Sequence, residues 1–465
     1  MTAPHRAQLR DTAATPYWLD RPEIRPAPLP RLTEDVTCDL AVVGGGYTGL
    51  WTALLAKREA PDRDVLVIEQ STCGHAASGR NGGFCSPSLT HGLANAAQRW
   101  PGETALLQRL GAANLDAFER DLDTHGIDCG FTRSGKVAVA ATPWQAQALR
   151  SAAVLHERHG EKAVYLDRDE LRDYVDSPLW HAGLWQPDYA LLDPARLVWG
   201  LRDACLALGV RIAERTEVTS LDDRHRSHVV LHTPYATVNA RRVALATNIY
   251  RPLLRRLSLT MVPVYDYALV TEPLDDDLLA AVGWHGDHGI TDAGNQFHYL
   301  RKTDDNRVLW GGYDAVYHYG NRVDERLTQR PATFDVLAAQ FAETFPALAD
   351  VPFSHAWGGI IDSTTRFCMF AGAADGRIGY ALGFTGLGVG ATRYGAEVML
   401  DLLAGRTTER TRPAMIRRPP VPFPPEPFRY LGVQATRWSL AREDLHGRRN
   451  PWLRTLDRLG LGFDS

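Results

Sequence analysis

Three features of the chain predict an α/β fold of two domains: a discontinuous Rossmann-like dinucleotide-binding domain and an α+β domain built on an antiparallel sheet. An apolar strand runs into a glycine turn at Cys38–Gly49, reading C-D-L-A-V-V-G-G-G-Y-T-G. A second apolar strand, D-V-L-V-I-E, closes on Glu69. Beyond Met261 the runs A-L-V-T-E-P, F-H-Y-L-R and R-V-L-W-G-G-Y alternate large apolar and polar residues, the pattern of an antiparallel sheet that walls a ligand on one side.

The first element is the strand Leu40–Val43 and its G-x-G-x-x-G turn. Gly44 permits the tight turn, Gly46 lets the backbone approach a pyrophosphate, and Gly49 lets the following helix pack closely on the strand. A helix pattern runs from Leu50 to Ala60, and the free N–H groups at its start, Tyr47 and Thr48, face the phosphates. Glu69, followed by Gln70, stands about twenty residues past the turn, where a carboxylate accepts both ribose hydroxyls and repels a 2′-phosphate. NADP is therefore disfavoured, and FAD or NAD remains.

The segment Cys73–Phe84, C-G-H-A-A-S-G-R-N-G-G-F, decides between them. An NAD domain proceeds into its next crossover helix. A loop rich in small residues and backbone donors, here Ala77, Ser78, Gly79, Arg80, Asn81, Gly82 and Gly83, suits close approach to a flavin and its pyrophosphate.

With these motifs the chain resembles the D-amino-acid oxidase and glycine oxidase family of FAD enzymes, most closely the gamma-glutamylputrescine oxidase-like branch. A-S-G-R-N-G-G is typical of that branch, as is V-A-L-A-T-N-I-Y at Val243–Tyr250. W-G-G at Trp357–Gly359 and G-F-T-G-L-G-V-G at Gly383–Gly390 match as well, and the resemblance runs from Val36 to Gly405. It implies the glutathione-reductase-type two-domain flavoprotein fold, with Ala246, Thr247 and Trp357 joining the FAD site. Some relatives attach FAD through a histidine in the glycine-rich loop. With the glycines matched, theirs aligns with Arg80 rather than His75, so non-covalent FAD is expected.

Composition agrees. At 465 residues and 45% hydrophobic content the chain supports more than one domain and large cores. A net charge of −4 with dispersed basic residues gives no field for nucleic acid. The six cysteines lie far apart with no C-x-x-C and no metal-ligand spacing, which suits a reducing compartment and no metal. The N-terminus has no targeting pattern and no stretch approaches the ~20 apolar residues of a membrane span, so a soluble, cytoplasmic protein is expected.

Along the chain, residues 1–35 read as a proline-rich arm anchored by Tyr17 and Trp18. The FAD-binding domain is expected at 36–95, 193–262 and 355–406, and the substrate domain at 96–192 and 263–354. A helix over Glu103–His125 leaves the first piece; a helix over Asp193–Leu208 and the strand G-V-R-I-A-E return to it, ahead of a turn where the backbone of Val218 faces adenine. The second return falls near His355. Residues 407–465 form a Pro/Arg-rich extension, extended over the surface up to a short helical finish at Gln434–Leu459.

The resemblance implies oxidation of the C–N bond of a small-molecule amine or amino acid. Hydride passes to flavin N5, the imine is hydrolysed, and O2 reoxidises the flavin to give H2O2. The alternatives are a dehydrogenase of the same fold feeding a quinone or carrier, and a non-enzymatic flavoprotein. The loop Gly383–Gly390 opens a helix whose first N–H groups, around Gly386, Leu387, Gly388 and Val389, suit the flavin N1 and O2 edge. In glycine oxidase an arginine soon after W-x-G clamps the substrate carboxylate; here Ile360, Ile361 and Asp362 follow. Asp362 is thus expected to attract a substrate ammonium, or else to cap a loop or pair with Arg366, and Arg366 is a candidate receiver for a distant substrate acid. Trp357, Tyr265, Tyr299 and Tyr313 are candidates for an aromatic cage around a cation.

Overall fold

The computed structural model describes residues 7–461. Its first sheet has the order β17 (Phe370–Ala374), β18 (Ile378–Leu382), β11 (Thr237–Leu245), β1 (Val36–Val43), β2 (Val65–Ile68) and β8 (Arg211–Ala213), with β10 (Val229–His232) and β9 (Ser220–Asp222) paired off β11. The strands from β18 to β8 are parallel. β1 is apolar along most of its length because both its faces are covered, by the helices Tyr47–Glu59 and Gly388–Leu403 on one side and by a cluster that includes Val218, Val229 and Leu231 on the other. The turn after β1 is as tight as the motif requires. Gly44 sits at φ 111°, and a Cβ on Gly49 would lie 1.8 Å from the Gly44 carbonyl oxygen.

The second sheet has the order β16 (Phe353–Ser363), β12 (Val262–Thr271), β15 (Val308–Gly312), β14 (His298–Lys302), β13 (Gly289–Asp292), β4 (Lys136–Ala140), β6 (Ala182–Gln186) and β5 (Val164–Leu166). It is antiparallel except for the β13–β4 pair, which is parallel. β3 (Phe84–Cys85) and β7 (Ala190–Leu191) form a short ribbon of their own. The return to the first sheet, expected near His355, comes at β17. The strand carrying W-G-G is paired with β12 from Val262↔Ser363 to Val270↔His355, and so lies in the second sheet. The cysteines Cys38, Cys73, Cys85, Cys129, Cys205 and Cys368 are buried free thiols. Among the described residues no helix is long and apolar enough to cross a membrane.

The extension departs from the expected path in two ways. Its main helix starts at Phe428, six positions before Gln434, because Pro427 precedes the helix, where a missing N–H costs nothing. That helix ends at Gly447 in the left-handed conformation, and a separate helix, Pro451–Arg458, is capped by Asn450. The segment between is also tethered rather than laid on the surface. The buried Arg366 donates to the carbonyls of Met369 (3.2 Å), Met415 (2.9 Å) and Arg418 (2.5 Å), and Thr365 Oγ1 donates to Val421 O at 2.8 Å. Arg366 therefore neither pairs with Asp362 nor reaches for a substrate acid. Arg366→Ala leaves these carbonyls without a donor, at about 1 kcal/mol or more each. It is expected to lower Tm and speed limited proteolysis between residues 406 and 427; undiminished protection there would contradict the tether.

Candidate active site between the two sheets

One cavity of about 2020 Å³ runs from the glycine turn to the open face of the second sheet. It exceeds the ~300–1,000 Å³ of a usual small-ligand site, which leaves room for a dinucleotide together with a substrate.

At the nucleotide end Gly44, Gly46, Tyr47 and Thr48 border the cavity, with Gly49 behind them. Tyr47 N–H donates to Ser78 Oγ at 3.0 Å and its hydroxyl to Pro194 O at 2.9 Å. The Asn81 amide donates to Ala77 O and Ser78 O, both at 3.0 Å, and accepts the Gly83 N–H at 2.9 Å. These bonds fold the Ala77–Gly82 loop onto the start of the helix. Glu69 borders the cavity beside Gln70, and its carboxylate accepts N–H groups from Gly45 (2.7 Å) and Ser71 (2.8 Å). Burial raises its pKa, and the backbone donors of Ser71, Gly45 and Gln70 against a carboxylate's roughly four acceptor positions leave capacity for a hydroxyl donor. Val218, Ala246 and Thr247 complete this end.

Several predicted cofactor residues act one step removed. Arg80 borders the cavity, and its guanidinium donates to His75 O (2.9 Å) and Gly358 O (3.2 Å) and pairs with Glu325, so it clamps the loop to β16. Trp357 borders the cavity although it is only 1% exposed, and its Nε1 donates to Arg80 O at 3.0 Å, which makes it a second clamp on the loop. Gly79 and Gly83 stand off the cavity. A Cβ on Gly79 would lie 2.4 Å from Gly74 O and one on Gly83 2.2 Å from Leu192 O, so both are needed for packing.

Gly386, Leu387, Gly388 and Val389 border the cavity where the helix Gly388–Leu403 begins. Gly383 is set behind them at φ 73°, its N–H donated to Asp362 Oδ2 at 2.6 Å. Asp362 is 3% exposed; burial pushes its pKa up to about 6, against backbone donors from Gly383 and Phe384. Asp362 also borders the cavity, and its carboxylate braces the glycine loop through these donors, the arrangement of the loop-cap alternative.

The tyrosines divide. Tyr265 is fully buried with its hydroxyl on Arg322 O at 3.1 Å, away from the cavity. Tyr313 and Tyr299 border the cavity; Tyr313 stacks on His298 at 5.3 Å, and Tyr299 donates to Asp266 Oδ2 at 2.7 Å. Asp266 went unnoticed in the sequence, although an acid between Val264 and Ala268 in an apolar strand is a visible anomaly. His91 was missed as well. It borders the cavity, and burial, with Lys136 nearby, pushes its pKa down to about 4.

The three backbone segments, turn, Ala77–Gly82 loop and Gly386–Val389 loop, converge on one cavity with donors and small residues, the set that a flavin dinucleotide requires. Gly46→Val places a side chain where the Cβ alone would lie 2.8 Å from Ser78 Oγ and fills the approach to the turn. The variant is expected to purify folded but without FAD, as read from the flavin-to-protein absorbance ratio; full flavin content would contradict this cradle. Asp362→Ala removes the brace on Gly383 and is expected to lower both Tm and FAD retention, whereas Asp362→Asn keeps an acceptor and is expected to preserve most of both.

Residues 39–402 match the DAO family, described as FAD dependent oxidoreductase. Gamma-glutamylputrescine oxidoreductase of Escherichia coli (strain K12) is 32% identical over 410 residues, 86% of this chain and 90% of the relative. Probable oxidoreductase OrdL of Rhizobium meliloti (strain 1021) is 28% identical over 390 residues, 80% of this chain and 84% of the relative. Among solved structures, glycine oxidase from Geobacillus kaustophilus has a TM-score of 0.66 at 21% identity, covering 80% of this chain and 96% of that one. L-proline dehydrogenase from P.horikoshii has a TM-score of 0.65 at 19% identity, covering 82% and 96%. With a family match over most of its length and the turn, acid and loops in place, the chain belongs to the DAO family of FAD-dependent oxidoreductases.

Proposed function

We propose that the protein oxidises the C–N bond of a small amine or amino acid, with an amine favoured over a simple α-amino acid, and passes the electrons to O2. The observation that carries the preference is the cavity face of β12 and β16: it offers the carboxylate of Asp266, neither strand contains an arginine, and the next arginine, Arg366, is turned into the C-terminal tether. Relatives named for gamma-glutamylputrescine, glycine and proline support the wider class.

Bound FAD would supply acceptance of a hydride at N5 from the carbon bearing the amine once the bound ammonium has released its proton to solvent, the imine then hydrolysing and O2 giving H2O2. Gly44, Gly46, Tyr47, Thr48 and Glu69 would hold its nucleotide end, and the Ala77–Gly82 and Gly386–Val389 loops its ring end. Trp357 and Arg80 hold the first loop to the substrate sheet, and Asp362 holds the second. The first N–H groups of the helix Gly388–Leu403 favour negative charge at its start. The second sheet forms the opposite wall.

Measuring H2O2 release in air with parallel panels of amines and α-amino acids tests this reading. Peroxide with amines above α-amino acids is expected. Dye reduction without peroxide would replace the oxidase by a dehydrogenase, and no flavin reduction by either panel under anaerobic conditions would overturn the proposal.

A further inference from the structure

We infer that Asp266, oriented by Tyr299, is the subsite that holds the substrate's ammonium group; this rests on the amine reading above. Strand β12 is buried except at Val264 and Asp266, and their register partners on β16, Ile361 and Gly359, are the matching half-exposed positions. All four border the cavity, so the exposed surface of Asp266 opens into it. Gly359 leaves the space beside the carboxylate clear: a Cβ there would meet nothing nearer than Arg80 Cβ at 3.6 Å.

The carboxylate is built in. Tyr299 reaches it from β14 by crossing β15 at Gly311, where a Cβ would lie 2.5 Å from the tyrosine ring and hydroxyl. The other side of the ring rests on Gly82, where a Cβ would lie 2.7 Å away. The pair therefore adjoins the Ala77–Gly82 loop, at the ring end of the proposed FAD site. Only Gly, or a register that displaced Tyr299, satisfies position 311.

Among the described residues no arginine or lysine pairs with the carboxylate. Its hydrogen-bond donors are the Tyr299 hydroxyl and the Tyr267 backbone; the titratable groups facing it are His298 from β14 and Asp314 from beyond β15, the latter an acid like itself. His298 is itself committed to Asp292, at 2.6 Å. A carboxylate taken out of water without a cation is unfavourable, and a ligand ammonium supplies both the charge and the hydrogen-bond donors. Val264, Ile361 and Ala268 offer an apolar surface to the carbon stem next to it. Burial pushes the pKa of Asp266 up to about 6, so the ionised, ammonium-binding form is lost as pH falls below that value.

The test uses the FAD-loaded enzyme with Asp266→Asn and Tyr299→Phe, an oxidisable amine, and tert-butylammonium, whose carbon has no hydrogen to give up. Asp266→Asn is expected to raise KM for the amine and the Kd of tert-butylammonium, read from the flavin spectrum, by at least about tenfold. It should also abolish the acid limb of kcat/KM near pH 6, while FAD content stays at one per chain. Tyr299→Phe removes a donor that favours the charged carboxylate, so its acid limb is expected to move to higher pH. A wild-type enzyme that oxidises amines while Asp266→Asn leaves KM and the acid limb unchanged overturns the subsite alone. If Asp266→Asn loses FAD, an unmoved acid limb in Tyr299→Phe overturns it. A wild-type enzyme that no amine reduces overturns the amine reading beneath it.

Discussion

The pairing of β12 with β16 is the constraint on which the site depends. Ten register pairs, from Val262↔Ser363 to Thr271↔Phe353, hold two strands that are about ninety residues apart in sequence, with a single irregularity at the Val270 end. Because side chains alternate with period two, this register decides that Val264, Asp266, Gly359 and Ile361 open to the cavity while Tyr265 turns away. A slip of one residue would bury Asp266 and bring Tyr265 to the ligand. The same strand pair carries Trp357, whose indole fixes the loop that follows the first sheet, so one ladder sets both the substrate wall and the position of the cofactor loop.

Two acids on this ladder show how environment separates roles. Asp362 and Asp266 both have pKa values pushed up to about 6 by burial. Asp362 is surrounded by backbone N–H donors of the glycine loop and acts as a brace; Asp266 has a tyrosine hydroxyl and an open cavity. Each folded-state value lies above the unfolded value of about 3.9, so the native state retains protons that the unfolded chain releases. The contribution of both groups to stability is therefore greatest below about pH 4 and is lost as pH rises through about 6. Retaining two such carboxylates costs stability at neutral pH, a cost expected where a charge serves a loop or a ligand.

Much of the dinucleotide end was legible because its chemistry is local. Gly44, Gly46, Gly49 and Glu69 act within about thirty residues of one another, and the requirements for a tight turn, an open approach and a terminal acid are written in residue types. The substrate end was legible only in part: Tyr299, Tyr313, Trp357 and Asp362 border the cavity, but period-two alternation marks two faces without saying which one meets the ligand. Tyr265 and Asp266 are adjacent in sequence, and the more suggestive choice of the two lay on the face turned from the cavity. Arg366 misled for a related reason: its partners are carbonyls of Met415 and Arg418, about fifty residues on, which no local pattern announces. Gly79 and Gly83 belong to a glycine-rich loop whose members divide between contact with the cavity and packing behind it.

The central claim is that the cavity face of β12 presents a carboxylate to an amine nitrogen next to the flavin. A crystal structure of the FAD-loaded enzyme with a bound, non-oxidisable amine tests it directly. The amine nitrogen is predicted within hydrogen-bond distance, about 2.7–3.2 Å, of the Asp266 carboxylate, on the side open above Gly359. A nitrogen bound elsewhere in the cavity, with Asp266 contacted by Tyr299 alone, would contradict the account.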